Sequence, residues 1–297
     1  MSTEFGYQVF VADPAPMAVP GTLPNGEPYR YQPLAITLVH GRQDAVLVDP
    51  PLTTEQARVV GDWVEASGKR LTHIFATHGH GDHWFTADLL AERFGAQVVA
   101  SAGTIAQMHG NVAAREVLWD KLFPGQIPPS PVTATPADRF TLEGHELSIV
   151  EVGHADSDDC AVLHVPDLGL VVAGDVIYNG VHQYLAEAAG GDFGPWRKAI
   201  DAIDALAPSR IVASHQDKSL DDDAARLIAE TRQYLDVADV ALAAHDTPTA
   251  FFTAMLARYP DRRIGATVLW VGARALYLAR EGGDPGLALV TAWTSPQ

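Results

Sequence analysis

A chain of 297 residues, 47% of them hydrophobic, is long enough for one large domain, or for one domain with an appendage, around a sizeable core. Lys and Arg number 20 against 37 Asp and Glu, a formal charge of −17, and cations cluster only as pairs such as Lys69-Arg70 and Arg262-Arg263, which excludes nucleic acid and anionic membrane surfaces as expected partners. A single cysteine, Cys160, excludes an internal disulfide framework, and no apolar run approaches the length that spans a bilayer.

Met1 to Phe5 has neither the basic nor the apolar region of a signal peptide, so the expected location is cytoplasmic. Tyr7 to Val11 reads as an edge strand, and the Pro- and Gly-rich segment from Asp13 to Pro33 as a loop wrapping the surface. Leu34–His40 and Ala45–Val48 follow as strands joined by a turn at Gly41 to Asp44, and Pro50-Pro51 closes the second. Ala57, Val60, Trp63 and Val64 recur at helical spacing between Thr54 and Ser67. Leu71 to Ala76 is a strand, and a helix is expected from about Trp84 to Phe94. Ala100 to Pro136 reads as one or two helices and a proline-rich connection covering part of whatever site lies nearby.

A second β-rich stretch begins at Phe140, alternates through Leu147, Ile149 and Glu151, and continues in Ala161–Val165 and Leu170–Ala173. Ala224 to about Ala244 is a long helix, and Thr247-Pro248 starts another, with Thr as N-cap and Pro at the first helical position. Its apolar stripe, Phe251, Phe252, Met255, Leu256 and Tyr259, fits core packing first, and a lid or subunit contact second. The chain therefore divides into an N-terminal strand and wrapping loop (1–33), a core (34–216), and C-terminal helices with a short terminal strand (217–297).

One run stands apart: His78-Gly79-His80-Gly81-Asp82-His83, four metal-binding side chains in six residues, just beyond a strand end. His154, Asp175 and His215 follow, each just past a strand-like segment. His-x-His lets two imidazoles of one loop converge on an ion, and Gly79 and Gly81 are expected to allow the sharp backbone this needs. Imidazole and carboxylate together suit Zn²⁺ or a similar divalent ion, and seven ligands exceed what one tetrahedral ion uses. Six further histidines of the twelve, His40, His73, His109, His145, His164 and His245, have no spacing that implicates them.

The order and strand-end placement of these seven residues resemble the metallo-β-lactamase superfamily over roughly residues 34–216. The resemblance implies an αββα sandwich of two mixed sheets flanked by helices, with a small C-terminal helical extension. It implies two Zn²⁺ per chain, with Fe or Mn as other candidates. One ion would take His78, His80 and His154, the second Asp82, His83 and His215, and Asp175 would bridge both along with a hydroxide. It further implies attack of that hydroxide on the carbonyl of a small ester or lactone, with Asp82 orienting the nucleophile and passing a proton to the leaving oxygen. The β-lactamases that name the family carry cysteine or serine where this chain has Asp175, so antibiotic hydrolysis is disfavoured as the main role.

Tyr178, three residues after Asp175, looks like the arrangement in metal-dependent acyl-homoserine lactonases, where the phenol stabilises the oxyanion; packing beside the site is the equal alternative. His182 either lines the pocket or caps a loop, and Trp84, Phe85 and Trp119 furnish an apolar wall or pack in the core. Asp49, at its strand end, is expected to hydrogen-bond a ligand imidazole. Alternatives are a thioesterase of the glyoxalase II type or a phosphoester hydrolase on the same site, and, in another class, a mononuclear-iron enzyme resembling persulfide dioxygenases. The expected partner is a small-molecule substrate; the oligomeric state, homodimer included, is open.

Overall fold

The computed structural model describes residues 5–188, 191–282 and 291. Six strands, β1 (Gly6–Ala12), β2 (Leu34–His40), β3 (Asp44–Val48), β4 (Arg70–Phe75), β5 (Gln97–Ala100) and β6 (Thr135–Pro136), form one sheet in sequence order. Five more, β7 (Arg139–Leu142), β8 (His145–Gly153), β9 (Cys160–Val165), β10 (Leu170–Val172) and β11 (Arg210–Val212), form a second in the order β11-β10-β9-β8-β7. Both are mixed: β1-β2-β3 pair antiparallel and β3-β4-β5-β6 parallel, while β10 and β11 are parallel in an otherwise antiparallel sheet.

The period-two alternation of strand side chains builds the layers. In β3, Val46 and Val48 join Phe75, Leu147, Leu163 and Val172 in the apolar layer between the sheets. Ala45 and Leu47 point the other way, into a larger cluster shared with the helices, which runs from Ala12 to Tyr277. Strands buried on both faces read as continuous apolar runs, as Leu34 to Val39 does. Helices α1 (Thr54–Ala66), α2 (Ala87–Phe94), α3 (Ala102–Ala114), α4 (Trp119–Leu122), α5 (Gly194–Ala205), α6 (Ala224–Ala244), α7 (Pro248–Arg258) and α8 (Ala266–Arg280) complete the αββα sandwich.

Local chemistry sets several boundaries. Thr53 and Gln56 form a reciprocal capping box at the start of α1. Thr247 caps α7 by accepting the Ala250 N–H, with Pro248 at its first turn. The stripe of α7 lies inward, with Phe251, Phe252 and Met255 buried and Leu256 and Tyr259 partly so, which is core packing. The expected helix from Trp84 starts later, at Ala87, because a 3₁₀ turn over Gly81–His83 uses the first residues. The expected terminal strand lies outside the described residues. Among the described residues no helix is long and apolar enough to cross a membrane.

The two-residue loop Glu143-Gly144 between β7 and β8 has positive φ at both positions, the requirement of a tight hairpin turn. The Glu143 carboxylate then accepts backbone N–H groups of Arg42, Gln43 and Asp44, the turn between β2 and β3. Those three amide hydrogen bonds hold its pKa down at about 2. This tie joins the two sheets at the end of β3 remote from Asp49.

Candidate metal centre

Asp49 follows β3 with φ 55, a left-handed conformation that non-glycine residues seldom adopt. That backbone turns a fully buried carboxylate across the ends of three strands. Its Oδ1 accepts the Thr77 N–H, and its Oδ2 accepts Thr77 Oγ1, Ser214 Oγ and His83 Nδ1 at 2.9, 2.6 and 3.1 Å. The expected bond from Asp49 to a ligand imidazole is therefore present, on His83.

Beyond β4 the ligand run turns so tightly that no Cβ fits at its glycines. A Cβ on Gly79 would lie 2.3 Å from Gln107 Cβ, and one on Gly81 2.1 Å from the Phe85 ring. Neither glycine has positive φ, so close approach, rather than backbone freedom, requires them. We expect Gly81→Ala to lower stability by about 1–3 kcal/mol in urea unfolding through overpacking, and to reduce bound metal. An unchanged midpoint would mean that the Phe85 ring yields freely.

The structure brings six of the seven expected ligands together and adds one. His78, His80 and Asp156 form one group of converging donor atoms, Asp82, His83 and His215 a second, and Asp175 reaches His78 and His83, one from each. Four donors about 2.1 Å from an ion lie about 3.4 Å from one another at the corners of a tetrahedron. In the first group His78 Nε2 and His80 Nδ1 are 3.2 Å apart, and Asp156 Oδ2 lies 3.1 Å from His80 Nδ1 and 3.6 Å from His78 Nε2. In the second, Asp82 Oδ2 lies 3.6 Å from His83 Nε2 and 3.5 Å from His215 Nε2. Asp175 approaches His83 Nε2 to 3.6 Å with Oδ1 and His215 Nε2 to 3.2 Å with Oδ2.

Every imidazole of the cluster spends its other nitrogen on a partner. His78 Nδ1 meets Thr77 Oγ1, His80 Nε2 meets Glu187 Oε1, His83 Nδ1 meets Asp49, and His215 Nδ1 meets the Pro33 carbonyl. Such partners fix the ring tautomer and aim the free lone pair at an ion. Three buried atoms inside the cluster, His83 Nε2, Asp156 Oδ2 and Asp175 Oδ1, meet no hydrogen-bond partner, although orphaned buried polar atoms are uncommon in folded proteins. The donor set thus fits two divalent ions.

Burial would raise the carboxyl pKa of Asp82 and Asp175, but the facing imidazoles outweigh it and hold both well below the usual range. Burial likewise disfavours charge on His83, yet Asp82, Asp175 and Asp49 lift it to about 9. Burial acts the same way on His80, and Glu187 with Asp156 raise it well above the ordinary value. In the metal-free chain the cluster is an ion-pair network, so metal uptake releases protons.

One expectation is corrected, and for two residues left between alternatives the structure shows a buried side chain away from the cavity. His154 is not in the cluster: β8 bulges against β9 between Glu151 and Gly153, Gly153 takes φ +88, and the His154 ring turns outward. That ring is 21% exposed and pairs with Asp158 at 2.7 Å. Tyr178 is fully buried behind the site, its hydroxyl donating to Asp175 Oδ2 at 2.9 Å and its ring stacked on His215. It holds the Asp175 carboxylate from behind and does not line the cavity at the cluster. His182 is also buried, facing the Tyr234 hydroxyl, and does not line the cavity at the cluster.

A cavity of about 210 Å³ opens onto His80, Asp82, Asp156, Asp175 and His215. Its apolar wall comes from Ala114 of α3, Leu118, and Trp119 and Leu122 of α4, so the middle segment does cover the site. Trp119 is wall, whereas Trp84 donates to the Gly79 carbonyl and Phe85 packs on Gly81. Gln32, Tyr31, Asn111, Tyr184, Glu187 and Val268 of α8 complete the lining, and no lysine or arginine contributes among the described residues. Tyr31 donates to Asp82 Oδ2 at 2.8 Å; burial, then that carboxylate, pushes its pKa well above the ordinary value and keeps the proton on the phenol. Asp156, Glu187, Tyr31 and Tyr184 were not singled out from the sequence. For Asp156 the one signal was the acidic run Asp156, Asp158, Asp159 beside His154.

Two mixed sheets packed face to face, with histidines and aspartates converging beyond their strand ends, define an αββα metal-binding protein. The chain belongs to the Metallo-beta-lactamase superfamily, whose sequence model matches residues 33–215. It is 30% identical over 144 residues to a hydroxyacylglutathione hydrolase of Rhizobium meliloti (strain 1021), covering 48% of this chain and 46% of that protein. The chain thus spans about half the length of that relative. A metal-dependent hydrolase of Thermofilum pendens is 30% identical over 180 residues, 59% of this chain and 75% of that protein. Among solved structures, a metallo-beta-lactamase family protein from Thermus thermophilus superposes with a TM-score of 0.61 at 20% identity, covering 93% of this chain and 96% of that one.

Proposed function

We propose that this chain is a hydrolase that holds two divalent ions, zinc in the first instance, and cleaves a small uncharged ester or lactone. One observation carries the reading: Asp175 stands between two donor sets on the floor of a cavity whose remaining wall, Glu187 apart, is apolar or uncharged. The relatives named as hydrolases support the class.

Divalent ions bound there supply Lewis acidity and lower the pKa of water. The chain's own groups do the rest. Tyr178 fixes Asp175 from behind, and Glu187, Asp49, Thr77 and the Pro33 carbonyl fix the four imidazoles. Asp82 Oδ2, steered by Tyr31, is the carboxylate placed to take a proton and deliver it to the leaving oxygen. The apolar wall excludes water around the acyl group.

At about 210 Å³ the cavity is smaller than the roughly 300–1,000 Å³ of typical small-molecule pockets, which favours a short acyl chain or a lactone ring. The lack of a lining cation among the described residues disfavours the carboxylates of a glutathione thioester and the charge of a phosphoester. These are the second readings, the first of them favoured by the Rhizobium relative's name. The single buried Cys160 and the acidic surface accord with a cytoplasmic enzyme.

The test is a panel of neutral lactones and aryl esters, glutathione thioesters and phosphoesters, run on protein of measured metal content. Turnover of the neutral esters with about two ions per chain is expected. Preference for the charged substrates overturns the substrate class. A single iron with oxygen uptake overturns hydrolysis in favour of the persulfide dioxygenase-like reading.

A further inference from the structure

We infer that Asp156, and not His154, is the third protein ligand of the first metal position, which makes that position a two-histidine, one-carboxylate site. The inference rests on the two-ion reading above. The Asp156 side chain is fully buried, and its Oδ2 completes a triangle of 3.1, 3.2 and 3.6 Å edges with His80 Nδ1 and His78 Nε2. Those edges bracket the roughly 3.4 Å spacing of donors around one ion. No donor reaches Oδ2 with hydrogen-bond geometry, so this buried oxygen is unsatisfied without a cation. The other oxygen, Oδ1, faces away from the two histidines toward the Cys160 thiol, at 3.7 Å. His154 joins neither group of converging donors, and its ring is partly exposed.

The exchange changes the chemistry of the centre. With Asp156 the donors carry three carboxylates, Asp82, Asp156 and Asp175, in place of two. Carboxylate oxygen suits Mn²⁺ and Fe²⁺, whereas imidazole suits Zn²⁺. The first position therefore accepts harder ions more readily than a three-histidine site, and its added negative charge offsets more of the ion's charge.

The experiment compares wild type, His154→Ala, Asp156→Asn and Asp156→His. Each is loaded with ZnCl₂ or with an equimolar ZnCl₂ and MnCl₂ mixture, dialysed, and analysed for metal per chain, with circular dichroism as the control for folding. Two ions in wild type and His154→Ala, with one ion in Asp156→Asn, is the expected result. Loss of one oxygen ligand should weaken that ion's apparent affinity at least as much as loss of an outer partner does, roughly 10–100-fold. Asp156→His should regain two ions and raise the bound Zn-to-Mn ratio. Loss of one ion in His154→Ala overturns the assignment while leaving the two-ion reading standing, and so does retention of both in Asp156→Asn. A wild-type chain that takes up no metal overturns both. Should both Asp156 variants misfold, His154→Ala decides alone: a full complement supports the assignment, and a lost ion overturns it.

Discussion

Asp175→Ala is expected to lower kcat/KM on a neutral ester or lactone by at least about 10³-fold, roughly 4 kcal/mol of transition-state stabilisation, while the chain stays folded. Asp175 is the carboxylate that reaches both donor sets, and its Oδ1 is buried without a hydrogen-bond partner. Removing it deprives both positions of a shared negative ligand, takes from His215 the closest carboxylate to its Nε2, and leaves His83 Nε2 facing Asp82 alone. The folding cost is smaller, because the apolar layer between the sheets and the larger cluster against the helices do not depend on it. Metal analysis and circular dichroism accompany the kinetics. Full activity with unchanged metal content would falsify the bridging assignment.

Asp49→Ala should do the most damage to stability. Its carboxylate is fully buried and accepts from Thr77 N–H, Thr77 Oγ1, Ser214 Oγ and His83 Nδ1, so its loss strands four donors in the interior. Each unsatisfied buried donor costs about 1–3 kcal/mol, and removing one partner of a buried charged network typically costs about 3–5 kcal/mol. We expect a loss in the latter range by urea unfolding of the metal-free protein. His83 also loses the bond that fixes its tautomer, so affinity at the second position should fall about 10–100-fold. Asp49→Asn retains the shape and one acceptor but points a donor at others, and should fall between the two. Unfolding and metal affinity close to wild type in Asp49→Ala would mean that water replaces the carboxylate.

Much of this was legible in the sequence because two periodic signals coincide with the site. Apolar runs marked the strands, and metal-binding side chains fell just past their ends; the sandwich was implied by the family resemblance those residues carry, and the structure brings six of the seven together. What escaped it were features set by three-dimensional detail. Which of His154 and Asp156 joins the converging donors goes with a one-residue bulge in β8, and nothing in local composition fixes a bulge. Tyr178 was correctly placed near Asp175, but which side of the carboxylate its ring takes is decided by stacking on His215 and packing on Trp196. Tyr31 lies in a Pro-rich loop without periodicity, where sequence gives no account of which side chain turns inward. α8, with Gly265 in a left-handed conformation at its start and no capping side chain, carries no start signal of the expected kind.

The cavity wall draws on residues from both sides of the family-matched segment. All the converging donors lie between His78 and His215, inside residues 33–215, whereas Tyr31 and Gln32 precede that segment and Val268 follows it. The wall around the converging donors is thus assembled from segments outside the ligand-bearing stretch as well as within it. Tyr31 ties flank and centre together, because it lines the wall and also donates to Asp82; a chimera whose foreign flank keeps that tyrosine would report on which molecules enter, and one that loses it would report on the Asp82 donor set as well.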